Sequence, residues 1–348
     1  MVKVLLTFAT SSFIPGGVEV FSDQLNKVFG DIITISLNNT IKNSASYKFY
    51  FPPLKEPKIA YLIDKYFIDK YKEISPELIF VNGMYGWALP EKKTRAPIIN
   101  ILHGGYAPFA DSALPKFSLD YFRNRFIYSF FERLSAKKAK LRISNSNFTR
   151  DQIKNYYGLD SKVVNPAIDT NIFRPINKNK AIKKLNLPQN KKIALFVGRP
   201  NYAKGFDIIV KLAKMCPHIN FVNILYPPVN STNKNMIIKS FVPHQKMVEY
   251  FSAADFLLWP SRFEGFGFVP LEALSCNIPV IAFRTGILNE INIKGIYYVK
   301  NNLAEEYLKI INSRVYNQKI SSRKYIKKNF SFNKFKREFK KIAGEVSK

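Results

Sequence analysis

Short apolar, β-branched runs that stop at a polar or glycine-bearing loop and give way to a helical pattern recur along this chain, and few folds accept that alternation. Val2–Phe8 ends before Gly16-Gly17, and Val18–Phe29 follows with apolar residues at helical spacing. Leu78–Val81 stops at Asn82-Gly83, Ile98–Leu102 stops at His103-Gly104-Gly105, and Leu141–Ser144 leads into a helix over Ser146–Tyr157. The pattern then restarts. Strands are predicted over Ile193–Val197, Ile219–Ile224, Asp255–Trp259 and Pro279–Ala282, with helices over Phe206–Cys216, His244–Ala253 and Val269–Ser275. Continuous apolar strands suit burial on both faces, so the reading is an α/β fold of parallel sheets covered by helices.

At 348 residues the chain exceeds one ordinary core, and about 150 residues per domain makes two domains the expectation. Composition breaks at Asn165-Pro166, where Pro166, Pro175 and Pro188 punctuate a Lys- and Asn-rich run to Asn190 that reads as a linker. This divides the chain into 1–168, 169–330 and a basic tail, 331–348. Arg314–Lys348 holds 12 Lys or Arg against Glu338 and Glu345, with Phe330, Phe332, Phe335 and Phe339 interleaved, which predicts a basic amphipathic helix from about Asn333.

Hydrophobic residues at 47% and charged residues at 23% exclude a wholly disordered chain. A net charge of +29 points to a polyanionic partner or an anionic surface. Cys216 and Cys276 offer neither a disulfide framework nor zinc spacing, which fits a reducing cytoplasm. The apolar run at the N-terminus is too short for a signal peptide, and no run reaches the ~18 residues of a membrane span, so membrane contact is expected to be peripheral. Tyr121–Lys140 mixes aromatics with cations. It reads as a core-packed helix with a solvated basic face, with an anionic membrane surface as the alternative.

The chemistry concentrates in two stretches. Pro260–Ala282 places Glu264 in a Gly-containing loop after a strand and Glu272 eight positions on, in the helix that the loop opens. A loop feeding a helix N-terminus presents backbone N–H groups to a diphosphate, and ionised carboxylates accept hydrogen bonds from sugar hydroxyls. In Phe196–Asp207, Arg199 and Lys204 follow Gly198 at a strand's carboxyl end, where open α/β sheets bind ligands. Gly16-Gly17 and His103 lie at equivalent strand ends in the first half. Glu19 reads as a helix N-terminal acid, and His218 and His244 as structural or surface residues.

These residues resemble the glycosyltransferases of family four over nearly the whole chain. The family's Glu-x7-Glu pattern stands as Glu264 and Glu272 in EGFGFVPLE, and its Gly-Arg-x4-Lys-Gly pattern as GRPNYAKG. Gly16-Gly17, SNSNFTRDQI and NPAIDTNIFRP are similar to weaker family signatures. The resemblance implies a GT-B fold, two Rossmann-like domains facing each other across a cleft. It implies a retaining transfer of a hexose from a UDP- or GDP-linked sugar to a hydroxyl acceptor, lipid-linked or on a surface glycan. By position, Arg199 and Lys204 would bind the diphosphate and Glu272 the ribose hydroxyls. Glu264 and the backbone of Gly265, Phe266, Gly267 and Phe268 would meet the donor sugar, and the backbone of Phe241 and Val242 the base. His103 would approach the transferred sugar and Gly16-Gly17 the phosphates, with no metal or cofactor. Two positions depart from the pattern. Asn277 stands where the family has glycine, and Arg284-Thr285-Gly286 carries one glycine where two are common.

Two other classes answer to the same composition. A basic nucleic-acid binder fits the charge but shows no helix-turn-helix, zinc or RNA-recognition signature. A non-catalytic GT-B scaffold fits the fold but would not need Glu264, Glu272, Arg199 and Lys204 together.

Overall fold

The computed structural model describes residues 2–7, 16–30, 32–36, 54–231, 233–318 and 320–346. Contacts divide the chain into two compact units, Met1–Pro166 with Asn333–Lys348, and Ala167–Phe332.

In the first unit β1 (Lys3–Leu6), β2 (Ile32–Ile35), β3 (Leu78–Asn82), β4 (Ile98–Leu102), β5 (Leu141–Ser144) and β6 (Lys162–Val163) form one parallel sheet in the order β2-β1-β3-β4-β5-β6. Successive side chains leave opposite faces. Val4, Leu6, Ile79 and Val81 pack with Ile59, Ile63 and Phe67 of the helix Lys55–Ile74, while Phe80 meets Phe29 of the helix Gly17–Phe29 at 5.5 Å. From β1 the chain moves outward to β2 and then crosses to β3 on the other side. That reversal opens a crevice at the carboxyl ends of β1 and β3. The predicted strand over Val2–Phe8 is Lys3–Leu6, and Phe8 lies outside the described residues.

The second unit repeats the architecture. β7 (Lys192–Gly198), β8 (Ile219–Leu225), β9 (Met236–Lys239), β10 (Phe256–Trp259), β11 (Val280–Ala282) and β12 (Ile296–Tyr298) form a parallel sheet in the order β12-β11-β10-β7-β8-β9. Ile193, Leu195, Leu257 and Trp259 enter one core cluster, and Ala194, Phe196, Phe256 and Leu258 the other, so both faces are covered. The order reverses between β7 and β10. The loops that leave those two strands carry Arg199, Lys204 and Glu264.

The proline- and lysine-rich run read as a linker is instead the opening layer of the second unit. Ile168, Phe173, Ala181, Ile182 and Leu187 are core residues, and Lys178–Lys184 is helical. Arg323 ties the run down by donating to the carbonyls of Thr170 and Phe173, both at 2.7 Å. Pro175, Pro188 and the exposed lysines mark the wet side of a packed segment. The tail divides too. Phe330 closes the helix Ser322–Asn329 and packs on Phe266 at 5.9 Å within the second unit. The helix Phe332–Val346 buries Phe335, Phe339, Ile342, Ala343 and Val346 along one stripe. Phe335 and Phe339 meet Phe21 at 5.4 and 5.7 Å, in the first unit.

Within Tyr121–Lys140 the chain is helical as far as Lys138, with the turn Leu119–Phe122, a π-helical stretch Arg123–Tyr128 and the helix Ser129–Lys138. Asn124, Tyr128, Ser129, Glu132, Ser135 and Ala136 face inward, in line with a core-packed helix. Among the described residues no helix is long and apolar enough to cross a membrane.

Candidate active site

Gly205 sets the geometry of the second unit's site. Its backbone is left-handed (φ 71°), and a Cβ there would lie 2.2 Å from the Pro260 carbonyl oxygen, so only glycine lets the loop after β7 lie against the loop after β10. Arg262 N donates to the Ala203 carbonyl at 2.8 Å, and the Arg262 guanidinium grips Asp207 through two bonds of 2.8 Å. This clamp brings Lys204 Nζ to 2.5 Å from Glu264 Oε1 and 5.8 Å from the Trp259 ring centroid. Ser261 Oγ donates to the same Glu264 oxygen at 2.6 Å. Glu264 Oε2 has no partner among the described residues and remains an acceptor.

The loop after β11 backs this arrangement. Glu264 N donates to Thr285 Oγ1 at 3.0 Å, and Ile287 N donates to the Phe266 carbonyl at 2.8 Å. A Cβ on Gly286 (φ 55°) would meet the Phe266 carbonyl oxygen at 2.6 Å, so the single glycine of Arg284-Thr285-Gly286 falls where close approach requires it. Asn277 adopts φ 57°, the left-handed backbone its type tolerates. Gly267 (φ 93°) turns Gly265-Phe266 into the helix Phe268–Ser275, whose first turn has no side-chain cap and has Pro270 in third place. The helix starts one residue before the predicted Val269.

Glu272 is buried on that helix, and its Oε1 lies 2.7 Å from His244 Nε2. Sequence reading set His244 aside as structural or surface. The structure gives that structural role its partners, since His244 reaches Glu272 and packs edge-on to Phe173 at 5.0 Å. Burial disfavours charge on His244, but the Glu272 carboxylate and Asp169 outweigh it and raise the imidazole pKa above its ordinary value. Nothing in the 28-residue separation announced the pair. The link runs through chain continuity, because Phe241, Val242 and Pro243 immediately precede His244. Phe241 is half-exposed with φ 55° and lies edge-on to Tyr226 at 5.4 Å, and with Val242 it lines a cavity of about 310 Å³. Arg199 is exposed in the loop after β7, and its guanidinium has no partner among the described residues.

In the first unit His103 follows the last residue of β4, ahead of two glycines of positive φ, Gly104 and Gly105. Its ring lies edge-on to Phe21 at 5.0 Å, and its Nε2 is 3.0 Å from Asn82 Oδ1. Hydrogen-bond logic fixes the proton. Ser22 Oγ donates to the Val18 carbonyl at 2.9 Å, so its oxygen can only accept from Asn82 Nδ2, at 3.2 Å. Asn82 Nδ2 also donates to Thr7 Oγ1 at 3.0 Å. Asn82 Oδ1 is therefore the atom facing His103, and His103 Nε2 carries the hydrogen, leaving Nδ1 as an acceptor. Burial pushes the His103 pKa down to about 4, so the ring is neutral at physiological pH. Gly16 precedes the helix that begins at Gly17, with the Glu19 carboxylate folded over it: a Cβ on Gly16 would meet Glu19 Oε2 at 2.8 Å. Neither Asn82 nor Ser22 was legible as part of a site. The first unit's cavity of about 450 Å³, lined by Glu77, Pro97 and Ala139, lies at the amino ends of β3, β4 and β5, away from His103. Among the described residues no three His, Cys, Asp or Glu gather as metal ligands.

Two parallel six-stranded α/β units, the second with Arg199, Lys204 and Glu264 at the reversal of its strand order, make this a protein of the GT-B fold class. The family models for Glycosyltransferase Family 4, over residues 18–172, and Glycosyl transferases group 1, over residues 230–331, both match, and the chain belongs to glycosyltransferase family four. It is 28% identical to an uncharacterized glycosyltransferase of Methanocaldococcus jannaschii, covering 100% of this chain and 99% of that protein. It is 26% identical to the D-inositol 3-phosphate glycosyltransferase of Mycobacterium tuberculosis over 62% of this chain and 48% of the relative. Among solved structures, sucrose-phosphate synthase from Thermosynechococcus elongatus superposes with a TM-score of 0.81 at 18% identity, covering 99% of this chain and 98% of the other. HepE of Anabaena in complex with UDP-glucose gives 0.75 at 17% identity, covering 99% of each.

Proposed function

We propose that the chain transfers a hexose from a nucleoside diphosphate sugar, UDP- or GDP-linked, to a hydroxyl acceptor with retention of anomeric configuration. The observation that carries this reading is the pairing of Lys204 with Glu264 where the loops after β7 and β10 converge, with Glu272 further along the helix that the second loop opens. One loop system thus offers a cation for phosphate and carboxylates for hydroxyls. Lys204 and Arg199 neutralise the departing diphosphate, aided by the uncapped first turn of the Phe268 helix. Glu272 holds the ribose and Glu264 Oε2 a sugar hydroxyl, with backbone contacts from Gly265, Phe266, Gly267 and Phe268. Phe241 and Val242 meet the base. His103 offers its Nδ1 lone pair to a hydroxyl of the transferred sugar, and Gly16-Gly17 approach the phosphates.

The bond from the anomeric carbon to the β-phosphate oxygen breaks as the acceptor oxygen bonds the same face. The acceptor's proton passes to the departing phosphate. Cationic side chains meet the charge in this scheme, so the reaction needs neither metal nor cofactor and is expected to survive a chelator. The acceptor is a lipid-linked or surface glycan on the cytoplasmic side of a membrane, a reading that rests on the chain's +29 charge.

Thermal unfolding against UDP, GDP and ADP tests the donor site. A nucleotide at about 100 times its Kd adds about 2.7 kcal/mol, and Lys204→Ala and Glu272→Ala should each abolish most of that gain. Absence of stabilisation by all three, at every concentration, would overturn the reading. The anomeric configuration of the product, read by proton NMR, decides retention.

A further inference from the structure

Phe117 and Leu119 are 84% and 88% exposed, and Phe122, Phe126 and Phe130 follow at 45%, 55% and 55%. Five large apolar side chains in one short stretch of the first unit thus face outward, where a monomeric surface ordinarily scatters such residues singly. Phe117 is held there at backbone expense, because its φ of 68° lies in the left-handed region that a bulky aromatic rarely adopts. Ser118 fixes the following turn by accepting a hydrogen bond from Tyr121 N at 3.1 Å.

The π-helical turn Arg123–Tyr128 keeps the remaining residues in line. A four-residue step overshoots the turn of an α-helix and undershoots that of a π-helix, so the mixture cancels most of the drift. Phe122 and Phe126 stack at 6.0 Å, and the exposed positions continue every three or four residues through Phe130, Arg133 and Lys137. One side of the segment is therefore aromatic at its start and cationic at its end.

We propose that this face, from Phe117 to Lys137, docks on an anionic lipid bilayer, with the phenylalanines and Leu119 entering the acyl boundary and Lys116, Arg133 and Lys137 meeting headgroup phosphates. Phenylalanine and leucine carry no hydrogen-bonding tip, so they suit hydrocarbon better than a polar ligand. The neighbouring carboxylates are already engaged, Asp120 with Arg123 and Asp111 with Arg125 at 3.2 Å, and so do not set a negative field against the lipid. Residues 116–140 hold seven Lys or Arg against Asp120 and Glu132, and Glu132 is buried. A second copy of the chain is a poor occupant, since two bodies of charge +29 repel. The inference does not depend on the transferase reading.

Flotation of the full chain with phosphatidylcholine vesicles, with and without phosphatidylglycerol, tests it. Binding is expected to be at least about tenfold stronger on the anionic vesicles and to weaken with salt. Phe117→Ser with Leu119→Ser alters only the exposed turn, and Lys116→Glu with Lys137→Glu only exposed cations of the face. Each pair should keep the wild-type melting temperature and lose about tenfold or more of the vesicle binding. Equal binding by the serine pair, or no binding by the wild type, overturns the proposal. So does a concentration-dependent dimer in sedimentation velocity that the serine pair abolishes, because the face would then belong to a second copy.

Discussion

Asn82→Asp tests the proton assignment of His103. In the wild type the amide donates to Ser22 and Thr7 and accepts from His103 Nε2 at 3.0 Å. Aspartate replaces the donor with a second acceptor oxygen, facing a Ser22 hydroxyl whose proton is committed to Val18. It also sets a carboxylate beside the imidazole. An opposite charge at that distance lifts a neighbouring group by about 1–3 pH units, which carries His103 from about 4 to about 5–7. Leaving buried acceptors unpaired costs about 1–3 kcal/mol, or roughly 2–4 °C of melting temperature per kcal/mol for a unit of this size. The wild-type ring is held neutral in the fold, so its contribution to stability is full above about 6.5 and declines as pH falls toward about 4. The variant escapes part of that decline, and its deficit should narrow over the same window. With three histidines in the chain, ¹⁵N imidazole spectra can be assigned by single substitutions. The wild-type His103 should show the Nε2–H tautomer and no titration near 6.5. An Nδ1–H tautomer, or a His103 titration that Asn82→Asp leaves unmoved, refutes the reasoning.

Gly205→Ala should cost at least about 2 kcal/mol, since it adds left-handed strain to a 2.2 Å overlap with Pro260, and should abolish nucleotide stabilisation; a wild-type melt and nucleotide response would show that the two loops do not depend on that contact. Because Glu272 raises the His244 pKa, the stability their pairing provides is present below about 6.5 and is lost as pH rises through the higher folded value. The wild-type advantage over Glu272→Gln in urea should therefore be larger at about pH 5.5 than at about pH 8.5. Phe339→Ala should lower stability by about 3–5 kcal/mol and shift the His103 ring signals through Phe21, whereas unmoved signals would break that link.

The interior strands of both sheets were legible because parallel strands covered on two faces are apolar almost throughout, as Leu78–Val81 and Ile193–Val197 are, whereas the edge strands β2, β6, β9 and β12, short and only partly buried, were not. The helix Lys55–Ile74 left no such mark. Leu54 precedes it and Ser75 ends it, with no side-chain cap, and its inward stripe is diluted by exposed lysines. The run after Pro166 misled for the converse reason. Its prolines and lysines dominate the composition, while Phe173 and Ile182, which decide its fate, are few. Lys204 and Glu264 could be joined in advance only through the order of their motifs. His244, Arg262, Asn82 and Ser22 act through contacts across the fold, and no local spacing encodes those.

The helix Phe332–Val346 has a consequence for the order in which the protein forms. Its residues leave the ribosome after every strand of both sheets, yet Phe335 and Phe339 belong beside Phe21 in the first unit. The second unit has all its core residues by Phe332 and can fold while synthesis continues. The first unit must wait, with the apolar flank of its leading helix open to water and to whatever chaperone is at hand. The unit whose strands are made earlier is thus sealed later, and the ring of His103 gains its full backing only after the second unit has been made.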